Sequence, residues 1–243
     1  MTQIPTINMS DPTAVSELLV QAALVMETAQ GRIGSTQHIP ATGKILVTGD
    51  LHDNPFNYSK IVKLANLNKS EDNHLVLQEL IHGDKLIGGV DMSFRMLVRI
   101  ASLVVAYPKQ VHPIIANHEP SQLTRRGITK GKGNIVEMFI DGVEWVFGTE
   151  SERVLSAIDS FFLAMPLSIK SANGLMCCHS LPNAPLMHVF DKNIVNRPMT
   201  DADRNNVDGS ATLMVWGRVH TQTQVNMLAK EWDVKLFGLG HAF

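Results

Sequence analysis

Five short apolar runs in this chain each end on a side chain that can hold a metal ion. The run from Lys44 closes on Asp50, that from His74 on Asp84, and that from Val111 on Asn117. The runs from Leu175 and Val234 close on His179 and on Gly240-His241. His52 lies two residues beyond Asp50. Short apolar runs closed by turn residues read as buried strands. Helical stretches lie between several of them, at about Pro55 to Leu67, Met92 to Tyr107 and Gln222 to Trp232. Strands alternating with helices give an α/β (α+β) fold whose sheet has a parallel component. In such a sheet the loops at the carboxyl ends of the strands share one edge, so ligands distant in sequence converge there.

The set is chemically coherent. Carboxylate, amide oxygen and imidazole together suit borderline divalent ions. Six such donors exceed what one tetrahedral site needs. They suit two ions roughly 3.5–4 Å apart. One histidine or aspartate after a strand is most often a loop or capping residue; five in register are hard to assign to capping.

The rest of the chain narrows the class. A length of 243 residues with 44% hydrophobic residues is enough for one well-buried domain. The near balance of 21 basic and 23 acidic residues leaves no general footprint for nucleic acid or an acidic membrane. The longest apolar stretch, Met92 to Tyr107, is interrupted by Arg95 and Arg99 and is too short to span a bilayer. The only cysteines, Cys177 and Cys178, are adjacent, so no disulfide framework is expected and a cytoplasmic location is the default. Residues 1–12 read as a leader. Ser10 or Asp11 caps a helix to about Gln30, ended by Gly31 and Gly34 and followed by a polar loop to Gly43. Residues 1–42 are thus expected to pack on a domain spanning 43–243. Residues 125–133 read as a loop, 134–148 and 151–164 as helices or mixed elements of ambiguous periodicity, and 183–210 as polar and irregular. Gly127 to Gly133 lacks the glycine spacing and the leading strand of a phosphate-binding loop.

With these blocks in view, the chain resembles the calcineurin-like metallophosphoesterases. Gly49-Asp50-Leu51-His52, Gly83-Asp84, Asn117-His118-Glu119, His179 and Gly240-His241 are similar, in order and spacing, to that family's GDxH, GDxxDRG, GNHE, isolated His and GH blocks. Cys177-Cys178-His179-Ser180, Tyr107-Pro108 and Val215-Trp216 look closest to the phosphoprotein (serine/threonine) phosphatase branch. The resemblance implies a two-sheet β-sandwich flanked by helices. It also implies a phosphoric-ester hydrolase using a metal-bridging hydroxide. Asp50 and His52 would bind the first metal, Asp84 would bridge, and Asn117, His179 and His241 would bind the second. His118 would protonate the leaving oxygen. Two divalent ions are implied, Mn²⁺ first, with iron or zinc also fitting. The substrate would be a phosphorylated compound, with neither nucleic acid polymer nor membrane as partner.

Three positions depart from the pattern. Counting from Gly83-Asp84, Ile87 stands where the family has the aspartate that orients the general acid, and Gly88 where it has a phosphate-binding arginine. Ile115 stands at a second arginine position. Arg125, Arg126 and Arg218 are the expected substitutes, with Lys85 as another cation nearby, while Asp91 or Glu119 could orient His118. A depleted clamp keeps two other readings open: hydrolysis of a phosphodiester or dinucleotide polyphosphate, and a non-catalytic metal-binding interaction module. Of the ten histidines, six have no assigned role. Five of these read as surface or helix-end residues and His82 as a packed strand position. The family continues past its GH block, whereas this chain ends at Phe243, so the domain is expected to be either trimmed or cut short.

Overall fold

Asp11 starts the first helix. Its carboxylate accepts hydrogen bonds from the backbone N–H groups of Thr13 and Ala14, and Pro12 occupies the first turn. The computed structural model describes residues 3–127, 129–130, 133–205 and 207–241. The elements in order are α1 (Pro12–Glu27), β1 (Arg32–Ile33), β2 (Thr36–Ile39), β3 (Lys44–Asp50), α2 (Pro55–Ala65), β4 (Asn73–Gln78), α3 (Phe94–Ala106) and β5 (Val111–Pro113). There follow α4 (His118–Leu123), β6 (Thr129–Lys130), β7 (Gly133–Asn134), α5 (Ile135–Phe147), α6 (Ser151–Ala164), β8 (Ser168–Ser171) and β9 (Leu175–Cys178). The last are α7 (Asp201–Asn205), α8 (Ser210–Trp216), α9 (Gln222–Glu231) and β10 (Leu236–Leu239).

The fold is α/β; among the described residues two main sheets are flanked by helices. One sheet is parallel throughout, in the order β3-β4-β5. The other is mixed, in the order β1-β2-β8-β9-β10, with β9 and β10 parallel. Ile39, Val76, Ile114, Ile169 and Cys177 form one buried layer with strand residues Ile45, Val47 and Leu175. A larger core, led by Leu75, Leu77, Phe94, Leu97, Phe161 and Phe162, includes the buried residues of α1, α3 and α6. α1 packs on α6 and on α3.

Several expectations need correction. The stretch before Gly43 is not a plain loop. Thr36, Gln37 and Ile39 are buried, and β2 pairs with β8. Its polar content misleads because Thr36 Oγ1 meets Ser168 Oγ at 2.8 Å and reaches the Val195 carbonyl at 2.8 Å. Residues 125–133, read as a loop, contain the short ladder β6-β7. Ile128, Gly131 and Lys132 of that stretch lie outside the described residues. The third correction matters most for the site: β4 ends at Gln78, not at Asp84. Leu80 and Ile81 are fully buried, but they lie beyond the strand. Among the described residues, no helix is long and apolar enough to cross a membrane.

His74 and His112, expected as surface or helix-end residues, form a buried pair at the other end of the β4-β5 ladder. Nδ1 of His74 lies 3.1 Å from Nε2 of His112, and the rings stack at 5.3 Å. Burial, and then the His74 charge, push His112 down to about 3. The unfolded chain therefore binds the extra proton below the ordinary histidine pKa, and stability falls as pH drops from about 6.5 toward 3. In urea denaturation across that window, a His112→Gln variant is expected to show a shallower pH slope than the parent, by up to about 1.4 kcal/mol per pH unit. Identical slopes would refute the assignment.

Candidate metal centre

The loops that follow β3 and β4 are bonded to one another, and this builds the floor of the site. Leu51 N–H donates to the carbonyls of Gln78 and Glu79, His52 N–H to Glu79 at 2.8 Å, and Asp53 N–H to Leu80 at 3.1 Å. The register of the β3-β4 ladder shifts between Val47 and Asp50, which turns the strand end toward this loop. His52, Asp53, Glu79, His82 and His241 all have left-handed backbone, with φ of 43°, 47°, 47°, 61° and 33°. Such conformations cost free energy in non-glycine residues and gather where tertiary structure dictates them.

Glu79 is 2% exposed and lies among imidazoles. Its Oε1 is 3.0 Å from His118 Nε2 and 3.6 Å from His52 Nε2, and its Oε2 is 3.3 Å from His179 Nε2. Two groups of donor atoms result: His52, Glu79 and His118; and Glu79, His179 and His241. Asp50 Oδ1 is 3.9 Å from His179 Nδ1 and accepts from His241 N–H at 3.4 Å. Asn117 Oδ1 is 2.8 Å from His179 Nε2. Asp50 and His52 keep about 30% of their side-chain surface exposed, against 3% for Glu79, so solvent enters from their side.

The second layer fixes which atoms face inward. The Gln78 amide is oriented by Nε2 donating to the Thr48 carbonyl, which leaves its Oε1 to accept from His179 Nδ1 at 2.9 Å. His179 Nε2 then carries a lone pair, aimed at Asn117 Oδ1 and Glu79 Oε2, both acceptors. His52 is set the same way, its Nδ1 donating to the Ile81 carbonyl at 3.1 Å. Among the described residues, His241 Nε2 is buried with no hydrogen-bond partner. Converging lone pairs are what a cation satisfies, and backbone or amide partners on the far ring nitrogen are typical of metal-binding histidines. The residues present therefore fit a pair of metal ions.

Burial depresses His179 to about 3. For His241 burial acts first and the Arg218 charge second, giving about 4. Both imidazoles are neutral near pH 7, as ligands must be. Burial acts upward on Asp50, but its contact with Glu79 and the charge of His179 outweigh this and hold it below the ordinary carboxylate range. Glu119 is fully buried, and burial raises it to about 7. It accepts from Leu80 N–H and from Ala116 N–H, each at 3.0 Å, and so ties the ends of β4 and β5 together.

The structure brings Asp50, His52, Asn117, His118, His179 and His241 together. Asp84 is not with them. It is exposed and lies outside both donor groups, because the strand ends six residues earlier, at Gln78, and places Glu79 at the centre. Counted from Glu79, the aspartate position of GDxxDRG falls on His82 and the arginine position on Gly83, rather than on Ile87 and Gly88. Gly83 explains the missing arginine: a Cβ there would sit 2.8 Å from the His52 carbonyl and 3.0 Å from Asp53 Cβ. Ile115 is fully buried in the core. Of the expected cationic substitutes, Arg125 is engaged by Asp159 at 2.9 Å and Lys85 lies over the Phe56 ring. Arg126 lines a groove of about 400 Å³ together with Pro120, Thr124, Leu213 and Trp216. Arg218 reaches the site, donating to the His241 carbonyl at 3.1 Å. The Trp216 ring joins groove to centre, 6.5 Å from His118 and 6.0 Å from His241.

A family model described as calcineurin-like phosphoesterase matches residues 43–241. The chain belongs to the calcineurin-like phosphoesterases. Over 150 residues it is 28% identical to a probable serine/threonine-protein phosphatase of Encephalitozoon cuniculi, a match that covers 61% of this chain and 29% of that protein. Among solved structures it is similar to a serine/threonine phosphatase of Saccharomyces cerevisiae, with a TM-score of 0.63 at 12% identity, covering 96% of this chain and 71% of that one. It is also similar to a cold-active protein-tyrosine phosphatase of a psychrophilic Shewanella, with a TM-score of 0.57 at 12% identity, covering 90% and 69%. At that identity the likeness concerns the fold alone. In this calcineurin-like phosphoesterase the carboxylate shared by both donor groups is Glu79. Glu79→Gln is therefore expected to weaken Mn²⁺ binding at both positions by more than about 10-fold in calorimetric titration, while Asp84→Asn leaves both unchanged. The reverse ranking would return the shared role to Asp84.

Proposed function

We propose that this chain hydrolyses phosphoric esters, phosphomonoesters first, at a pair of divalent cations, Mn²⁺ by preference. The observation that carries this reading is the sharing of Glu79 between two groups of inward-facing donors. Asp50, His52 and Glu79 would hold one ion, and Glu79, Asn117, His179 and His241 the other. When bound, such a pair lowers the pKa of water and offsets charge on phosphoryl oxygens.

The chain's own residues supply the remainder. His118 opens α4 and belongs to the donor group of His52 and Glu79; with Asp50 taking its place as ligand to that ion, its imidazole serves as proton donor to the leaving oxygen. Arg218, held beside His241, contacts the phosphoryl group in place of the missing clamp. The groove beyond Trp216 receives the organic part of the substrate. A phosphoprotein is the substrate class that the Encephalitozoon relative's name favours. The two buried, unpaired cysteines accord with a reducing, cytoplasmic setting.

Reconstitution with Mn²⁺ is expected to load about two ions per chain and to confer hydrolysis of an aryl phosphate. His118→Asn is expected to retain both ions and to lose about 10²–10⁴-fold in kcat. Fewer than one ion per chain, or full activity in the variant, contradicts the reading. Gly83 and Ile115 at the two arginine positions favour one alternative, a diester or dinucleotide polyphosphate with less charge on each phosphate. A diester hydrolysed faster than the matching monoester would select it.

A further inference from the structure

His82 stands three residues past Glu79, 2% exposed, with its backbone held left-handed. Its Nδ1 is 2.8 Å from Asp91 Oδ2. The other Asp91 oxygen accepts from Ser93 N–H at 2.8 Å, and Ser93 Oγ accepts from His82 N–H at 3.1 Å. These three bonds close a ring through residues 82, 91 and 93, and Phe139 packs against the imidazole at 5.7 Å. The His82 ring thus has little freedom to turn. It meets the ring of His118 at 5.1 Å and 71°, edge against face. His118 is bounded further by His52 at 5.6 Å and Trp216 at 6.5 Å.

Resting on the reading of His118 as proton donor, we propose that His82, anchored by Asp91, is the positioning residue for His118. The pair does what a single aspartate does at this place in the family pattern. A bare carboxylate reaches its histidine directly. Here an imidazole ring is interposed and the carboxylate stands one residue back. The ring buttresses His118 by its shape, and Asp91 fixes the ring. Glu119, the other residue expected to orient His118, is fully occupied by the backbone of Leu80 and Ala116. Small displacements of a proton donor cost rate steeply, because the transfer geometry is narrow.

A bond network that only knits the loop from 79 to 93 would affect all substrates alike, whereas a positioning role depends on the leaving group. His82→Phe keeps an aromatic ring against Phe139. With the Mn²⁺-loaded protein, it is expected to lower kcat for an alkyl phosphate by about 10-fold or more. Its kcat for 2,4-dinitrophenyl phosphate, whose phenolate leaves without a proton, and its KM and metal content should be little changed. Asp91→Asn should show the same split more weakly, and it serves if His82→Phe does not fold. Equal losses on both esters, or none, overturn the proposal. If the parent hydrolyses neither ester, the functional reading fails separately. The metal-free protein then decides: the imidazole ¹⁵N resonances of His118 should shift in His82→Phe and in Asp91→Asn, and unchanged resonances overturn the proposal.

Discussion

A buried carboxylate surrounded by imidazoles organises this molecule. Glu79 has almost no solvent, and three histidines lie within 3.6 Å of it. A buried carboxylate is costly, and the electron pairs of the surrounding side chains add to the demand for positive charge. Cations meet it, and the far side of the site is arranged accordingly. Gln78 and the Ile81 carbonyl take the outer nitrogens of His179 and His52, so that the inner ones are left as ligands. Folding has placed electron pairs where positive charge must come from outside the polypeptide.

That demand explains why two sheets are needed. The ends of β3, β4 and β5 supply Asp50, His52, Glu79, Asn117 and His118. The ends of β9 and β10 supply His179 and His241. The halves are joined by polar contacts that cross the seam, chiefly the Gln78 amide against His179. Gly240 permits this closeness, since a Cβ there would fall 2.5–2.9 Å from the Gln78 amide. Glu119 performs the equivalent task within the first sheet, holding the ends of β4 and β5 at a fixed separation. The protein spends buried polar groups on alignment, and each has a backbone or amide partner that the centre depends on.

Much of this was legible in the residues. Pro12 after Asp11, the alternating apolar runs and the Gly-His or Asn-His closures are local signals, and they placed α1, β3, β9 and most helices within a few residues. Six of the seven residues at the centre were legible for the same reason: each follows a strand whose end is punctuated. The seventh was not. Leu80 and Ile81 continue the apolar run of β4, so burial masqueraded as strand and drew the reading on to Gly83-Asp84. Both side chains are fully buried, but beneath the site, after the backbone has already turned at Glu79. β2 was missed for the converse reason: its buried Thr36 and Gln37 look like loop residues until their partners on β8 and neighbouring backbone are seen.

The sequence by itself determined the class of the fold, the kind of chemistry and nearly all of the ligand types, because those follow from local punctuation and from donor atoms that need no neighbours to be recognised. Only the tertiary structure decided which carboxylate is shared. It also decided which side chain occupies the place of the missing aspartate and why no arginine fits at Gly83. These are questions of separation between loops that are distant along the chain, and they depend on where a strand stops, which a buried apolar run does not reveal.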